Sequence, residues 1–231
     1  MSTVAESPQT EPPPRGALDE LASDPSSRKR FLRAIGGGAA AATLSLALAA
    51  CGRSKDKGSG NQFGGAGVGT AQYGQGDAGI ANFALALEYL EADFYAAAID
   101  SGHLSGRALH LFQRFGAEER AHVTTLEGTV RSLGGTPAPR RKTIFPLENQ
   151  NQILRVANQI EALGAAAYLG QVDRIESRQV LAAALSIHTV EARHAAVLST
   201  MLGQPISPDG AFARPSTSTE VSQQAQPFIT G

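Results

Sequence analysis

EERAH at residues 118–122 and VEARH at residues 190–194 place a Glu and a His three positions apart, twice in one chain, each time inside an apolar helix-periodic stretch. Residues three apart share one face of a helix. Glu119 and His122 fall on the stripe of Ala108, Phe112, Phe115, Leu126, Val130 and Leu133, and Glu191 and His194 on that of Val180, Ala184, Ile187, Leu198 and Met201. A helix that needed only solubility would carry such groups on its outer face. A buried carboxylate without a partner is costly, so both couples require a compensating group.

Each couple follows a second matched feature. Glu88 precedes Tyr95 in EYLEADFY (88–95), and Glu161 precedes Tyr168 at the same spacing in EALGAAAY (161–168). Glu161 follows Glu88 by 73 residues, and Glu191 follows Glu119 by 72. One Glu-x-x-His is common by chance; two of them, at matching places behind two matching Glu/Tyr pairs, mark an internal repeat. The apolar period predicts four helices of about 25 residues each, the first closed by Gly102 and the second by Gly134 and Gly135. The two hairpins are joined by TPAPRRKTIFPLEN (136–149), a Pro-containing crossover long for a helix–helix turn. The predicted fold is all-α, a four-helix bundle over 77–203 with a long crossover between helices 2 and 3. Residues 204–231, rich in Pro and Ser, read as an irregular tail whose QPFIT segment docks back on the bundle.

One Glu from each of two helices and Glu-x-x-His from each of the other two resembles the ferritin-like di-iron and di-manganese bundles. NFALALEYLEADFY and EERAH also resemble the exported ferritin-like domain family often found behind twin-arginine leaders, and the spacing is similar to that of rubrerythrin and bacterioferritin helices. The resemblance implies a metal site of Glu88, Glu119, His122, Glu161, Glu191 and His194, with Glu119 and Glu191 bridging two ions and the other four as terminal ligands. The rubredoxin-like Cys motif of rubrerythrin is absent from this sequence, so no internal electron relay carries over. Electrostatics agree with the implied site. Four carboxylates left alone in a poorly solvated place repel one another and take up protons, whereas two divalent cations neutralise them. Oxygen donors with two imidazoles suit iron or manganese, with zinc a competitor on affinity alone. The implied cofactor is two iron ions, or manganese.

The neighbours read differently. Glu91, one turn beyond Glu88, is an alternative ligand from the first helix or a group supporting the ligands from behind. Tyr95 and Tyr168 are candidate hydrogen-bond donors to the ligands, or core aromatics. His188 has Gly116 as its repeat counterpart and reads as a supporting or core histidine; Glu118 has Val190 and reads as a solvated charge; His103 and His110 read as surface groups.

The first fifty residues read as an address. A Pro- and Ser-rich leader (1–27) is followed by SSRKRFLRAIGGGAAAATLSLALAAC (26–51), a basic cluster, a modest apolar stretch and small residues before Cys51, which is the anatomy of a secretory signal. SRKRFLR resembles a twin-arginine export signal, with Lys29 where the second Arg belongs, and LAAC (48–51) resembles a bacterial lipobox, which implies lipidation at Cys51. Residues 51–76 are Gly-rich and read as a flexible tether reaching roughly 25–30 Å. The expected location is exported, periplasm or cell surface, anchored to the membrane through a lipid on Cys51. With a single Cys there is no internal disulfide framework, and a net charge of −1 argues against a nucleic-acid partner.

Two classes of function follow from this reading. The first is a metalloprotein whose dinuclear site reacts with O2 or peroxide, of ferroxidase, peroxidase or catalase type, in an oxidative-stress role. The second is a non-catalytic, lipid-tethered stress-protection domain whose metal only stabilises the helices. A shell-forming iron store fits poorly with a lipid leash on each subunit. A homodimer is the default assembly.

Overall fold

The computed structural model describes residues 70–230; the export and lipidation motifs, Cys51 among them, lie outside the described residues. Four long helices carry the fold: α1 (Gly76–Asp100), α2 (Gly106–Ser132), α3 (Gln150–Leu169) and α4 (Arg178–Met201). A short α5 (Ser218–Ala225) and two-residue strands β1 (Lys142–Thr143) and β2 (Ile229–Thr230) complete it, with 3-10 turns at Ala71–Tyr73 and Gln226–Phe228. Among the described residues no helix is long and apolar enough to cross a membrane.

Side-chain pairing fixes the directions of the helices. Along α1, Tyr89 meets Glu127 of α2 while Tyr95, further on, meets Phe112, so the first hairpin is antiparallel. Asn158 to Ala195 and His188 to Ala165 make the second hairpin antiparallel too. Across the hairpins, Tyr168 reaches Glu88 and Tyr95 reaches Glu161, which sets α3 antiparallel to α1. Helices α2 and α3 therefore run the same way, and the chain must travel back along their length between them. That is why Leu133–Asn149 is long. Its course is pinned by the buried Asn82, whose amide donates to the carbonyls of Tyr73 (3.1 Å) and Thr136 (2.8 Å) and accepts from Ala138 N–H (2.7 Å). Arg140 lies over the Tyr89 ring at 4.4 Å and pairs with Asp93.

Local sequence explains the ends. Gly102 adopts φ 72°, the left-handed conformation that turns the chain out of α1. Asn149 caps α3 by accepting from Gln152 N–H, and Ser177 caps α4 by accepting from Val180 N–H. Asp77, at the start of α1, accepts from the backbone of Glu176 and Ser177 and so ties the α3–α4 turn to α1.

Within 204–231, read as irregular, residues 204–217 are so but 218–230 are regular. Thr217 and Glu220 form a capping box that starts α5, and β2 pairs antiparallel with β1, Lys142 opposite Thr230 and Thr143 opposite Ile229. The tail thus docks by its helix on α1 and α3 and by its strand on the crossover. It also explains why α1 is apolar nearly all round: Phe83 and Leu87 pack with Leu163 and Ala167 of α3 and with Val221 and Ala225 of α5.

Two apolar clusters fill the space between the hairpins. One is built on Phe94, Tyr95, Phe112, Phe115, Ile160 and Leu198, the other on Leu85, Tyr89, Val123, Leu126, Tyr168 and Ile187. Between them lies a layer of charge.

Candidate metal centre

That layer contains five glutamates. Glu88, Glu119, Glu161 and Glu191 have no exposed surface, and Glu91 has 1%. His194 is buried and His122 nearly so. The Glu-x-x-His couples point inward because their helices have no other apolar face to bury, and Gly116 lets α1 and α2 close up: a Cβ there would lie 2.9 Å from Tyr95 Cβ.

Two sets of side chains converge on ligand-like geometry. Glu88, Glu119, His122 and Glu191 form one, Glu119, Glu161, Glu191 and His194 the other, each with donor atoms within 4.8 Å of one another. Glu119 and Glu191 belong to both. The structure therefore brings together all six side chains that the repeat singles out. Both imidazoles face the carboxylates through Nδ1. His122 Nδ1 lies 2.8 Å from Glu119, 3.2 Å from Glu88 and 3.3 Å from Glu191. His194 Nδ1 lies 3.0 Å from Glu119 and 3.1 Å from Glu161. One nitrogen carries at most one proton and cannot satisfy three carboxylates.

The shortfall is visible in the acceptors. Among the described residues, Glu191 Oε1 and Oε2, Glu119 Oε1 and Glu91 Oε2 are buried without a hydrogen-bond partner. Glu119 Oε1 and Glu191 Oε1 are within ion-pair distance of an imidazole but misaligned for a hydrogen bond. Buried orphan acceptors are rare in folded proteins because each forfeits its hydration. Oxygen-rich and carrying two inward Nδ1 atoms, the donor set fits a cation that prefers oxygen with some nitrogen.

Electrostatics divide the glutamates. Burial pushes Glu88 up to about 7 against the pull of His122. Burial raises Glu191 and Glu91 well above the usual range, helped by the neighbouring carboxylates of Glu161 and Glu191 respectively, and raises Glu161 as well. Glu119 alone goes the other way: burial opposes its charge, but His122 and His194 outweigh it and hold the carboxyl at about 2. The imidazoles respond in kind. Burial disfavours their charge, yet Glu119 and Glu191 lift His122 to about 12, and Glu119 and Glu161 lift His194 to about 10.

The supporting groups cross between the repeats. Tyr168 donates to Glu88 Oε1 at 2.6 Å, and Tyr95 donates to Glu161 Oε1, so each tyrosine holds the glutamate of the other hairpin. Burial raises both phenols well above their ordinary value and keeps them protonated donors. His188 lies apart, its Nδ1 3.0 Å from the Ala165 carbonyl, and belongs to neither ligand set. His103 and His110 are exposed.

Glu118 departs from its reading as a solvated charge. Its Oε2 is 2.7 Å from His194 Nε2 and its Oε1 accepts from Arg114, which outweigh partial burial and lower its pKa. Phe115 stacks on the same imidazole at 3.7 Å. The sequence signal was the Glu four residues before His122, but the contact is with the other hairpin's histidine, which spacing along one helix cannot show.

Fold and site together define a helical protein with a buried carboxylate–histidine cluster able to hold metal. The ferritin-like domain family matches residues 76–204, more than half of the 231, and the chain belongs to that family. No curated protein matches the chain.

Proposed function

We propose that this chain is an exported ferritin-like metalloprotein, a four-helix bundle whose dinuclear iron or manganese carboxylate site reacts with O2 or peroxide. The carrying observation is the sharing of Glu119 and Glu191 between two overlapping ligand sets, with three of their four oxygens left without a hydrogen bond. Glu88 and His122 would hold one ion and Glu161 and His194 the other, with Glu119 and Glu191 common to both. When bound, such a pair supplies Lewis acidity and redox capacity toward a small oxidant.

The chain's own residues prepare the site. Tyr168 and Tyr95 fix the outer oxygens of Glu88 and Glu161, which aims the inner ones. With neutral His194, Nε2–H donates to Glu118 and the Nδ1 lone pair faces the glutamates. The flanking apolar clusters exclude water. Export and lipid anchoring rest on SRKRFLR and on LAAC ending at Cys51.

A second reading has its own support. Because Glu119 stays ionised between two raised histidines, the cluster holds part of its charge in balance without metal, as a purely structural core would. One experiment separates the two. The full chain is purified, its metal counted by elemental analysis, and Fe(II) added under air. Two ions per chain with rapid oxidation support the first reading. Metal without turnover supports the second, and no metal at all sinks the dinuclear site.

A further inference from the structure

The repeat is broken at one position beside the site. Counted by the spacing that matches Glu88 to Glu161, Glu91 of α1 corresponds to Gly164 of α3. One helix carries an extra carboxylate where its counterpart carries no side chain, and the two positions face each other. A Cβ on Gly164 would lie 2.5 Å from Glu91 Oε1 and 2.9 Å from Glu191 Oε2. Both are closer than real Cβ contacts, so the missing side chain makes the room in which these two carboxylates meet.

Glu91 is 1% exposed, and its Oε2 has no hydrogen-bond partner. Neither oxygen of Glu191 has one either. The tyrosines do not relieve it, since Tyr95 is committed to Glu161 and Tyr168 to Glu88, and His122 Nδ1, 3.3 Å from Glu191 Oε1, is misaligned for a hydrogen bond. Two buried carboxylates brought together without a donor between them are stabilised by a shared cation.

We propose that Glu91 is a seventh protein ligand of the metal site, entering from α1 beside Glu191 through the space left by Gly164. This rests on the dinuclear reading above and makes the centre asymmetric: the two ions have unequal protein donor sets although the helices repeat. It also adds a fifth carboxylate, so two divalent ions no longer cancel the glutamate charge and the site favours a more highly charged pair.

The test uses Co(II) as the probe on the full chain and follows visible absorption and stoichiometry for wild type, Glu91→Gln and Gly164→Ala. Loss of a ligand is expected to weaken one of two Co(II) ions by at least the roughly 10–100-fold that losing a group behind a ligand costs and to change its absorption bands, leaving the other nearly as in wild type. Gly164→Ala, whose methyl crowds both the Glu91 and the Glu191 carboxylates, is expected to weaken the same ion at least as much. The metal-free Glu91→Gln protein should melt at or above metal-free wild type, because the glutamate has no donor to lose. Unchanged affinity and spectrum in both variants would overturn the proposal, and so would loss of metal-free stability in Glu91→Gln, which marks a structural role. Absence of Co(II) binding by wild type would instead overturn the dinuclear reading beneath it.

Discussion

Glu119 and Glu191 occupy equivalent places in the repeat and both belong to the two ligand sets, yet without metal they should behave in opposite ways. Glu119 lies 2.8 Å from His122 Nδ1 and 3.0 Å from His194 Nδ1, and these hold it at about 2. Against an ordinary glutamate near 4.5, that depression corresponds to about 3 kcal/mol of stability at neutral pH. It agrees in size with the 3–5 kcal/mol lost when one partner of a buried pair is removed. Glu119→Gln should therefore lower the melting temperature of the metal-free protein by roughly 10 °C for a domain of this length. Glu191 has no aligned hydrogen bond to either oxygen, only His122 Nδ1 at 3.3 Å from Oε1, and burial outweighs that contact and raises it. Glu191→Gln should leave the metal-free melting temperature unchanged or higher. Both variants should lose the stabilisation that metal gives wild type. The assay is thermal melting by far-UV circular dichroism of chelator-treated protein at pH 7, with and without Mn(II). Equal metal-free shifts in the two variants would refute this division of the charge.

Four further outcomes follow. Metal-free stability should fall as pH rises from about 4.5 to about 7, because Glu88 is raised and its charged form is disfavoured in the fold. It should fall further as His122 and His194 lose their protons toward their raised values, while the Glu119 contribution is lost only in acid below about 4.5; melting across pH 3–10 should peak near pH 5. Metal affinity should show the reverse trend, rising between about pH 5 and 8 as ligands shed protons, which titration with Mn(II) at several pH values reads directly. Tyr168→Phe removes the 2.6 Å bond to Glu88 and should weaken metal binding about tenfold, measured by competition with a chelator, with helicity preserved. Asn82→Ala strands two backbone carbonyls and one N–H and should cost about 2–4 kcal/mol in a denaturant melt, with faster proteolysis in the crossover.

The centre was legible in the sequence because its residues obey helix periodicity: a glutamate and a histidine on an apolar stripe declare burial, and the repeat declares convergence. The sequence reads Glu118 only as a solvated charge and Glu91 only as an alternative or supporting ligand, because what each meets is set across helices. Glu118 faces His194 rather than His122 of its own helix, and Glu91 owes its space to an absent side chain on α3. Tyr95 and Tyr168 were found as candidates, but that each serves the other hairpin's glutamate depends on α1 and α3 running antiparallel. At the C-terminus, Thr217 and Glu220 carry a capping-box spacing that marks the start of α5. The β1–β2 pair is two residues long on each side and leaves no alternation to read.

Anomalous X-ray diffraction at the iron and manganese absorption edges, on crystals of the full chain grown with metal, tests the central claim most directly. A dinuclear site requires two peaks about 3.5–4 Å apart, one among Glu88, Glu119, His122 and Glu191 and one among Glu119, Glu161, Glu191 and His194. A single peak, or none between Glu119 and Glu191, would contradict it.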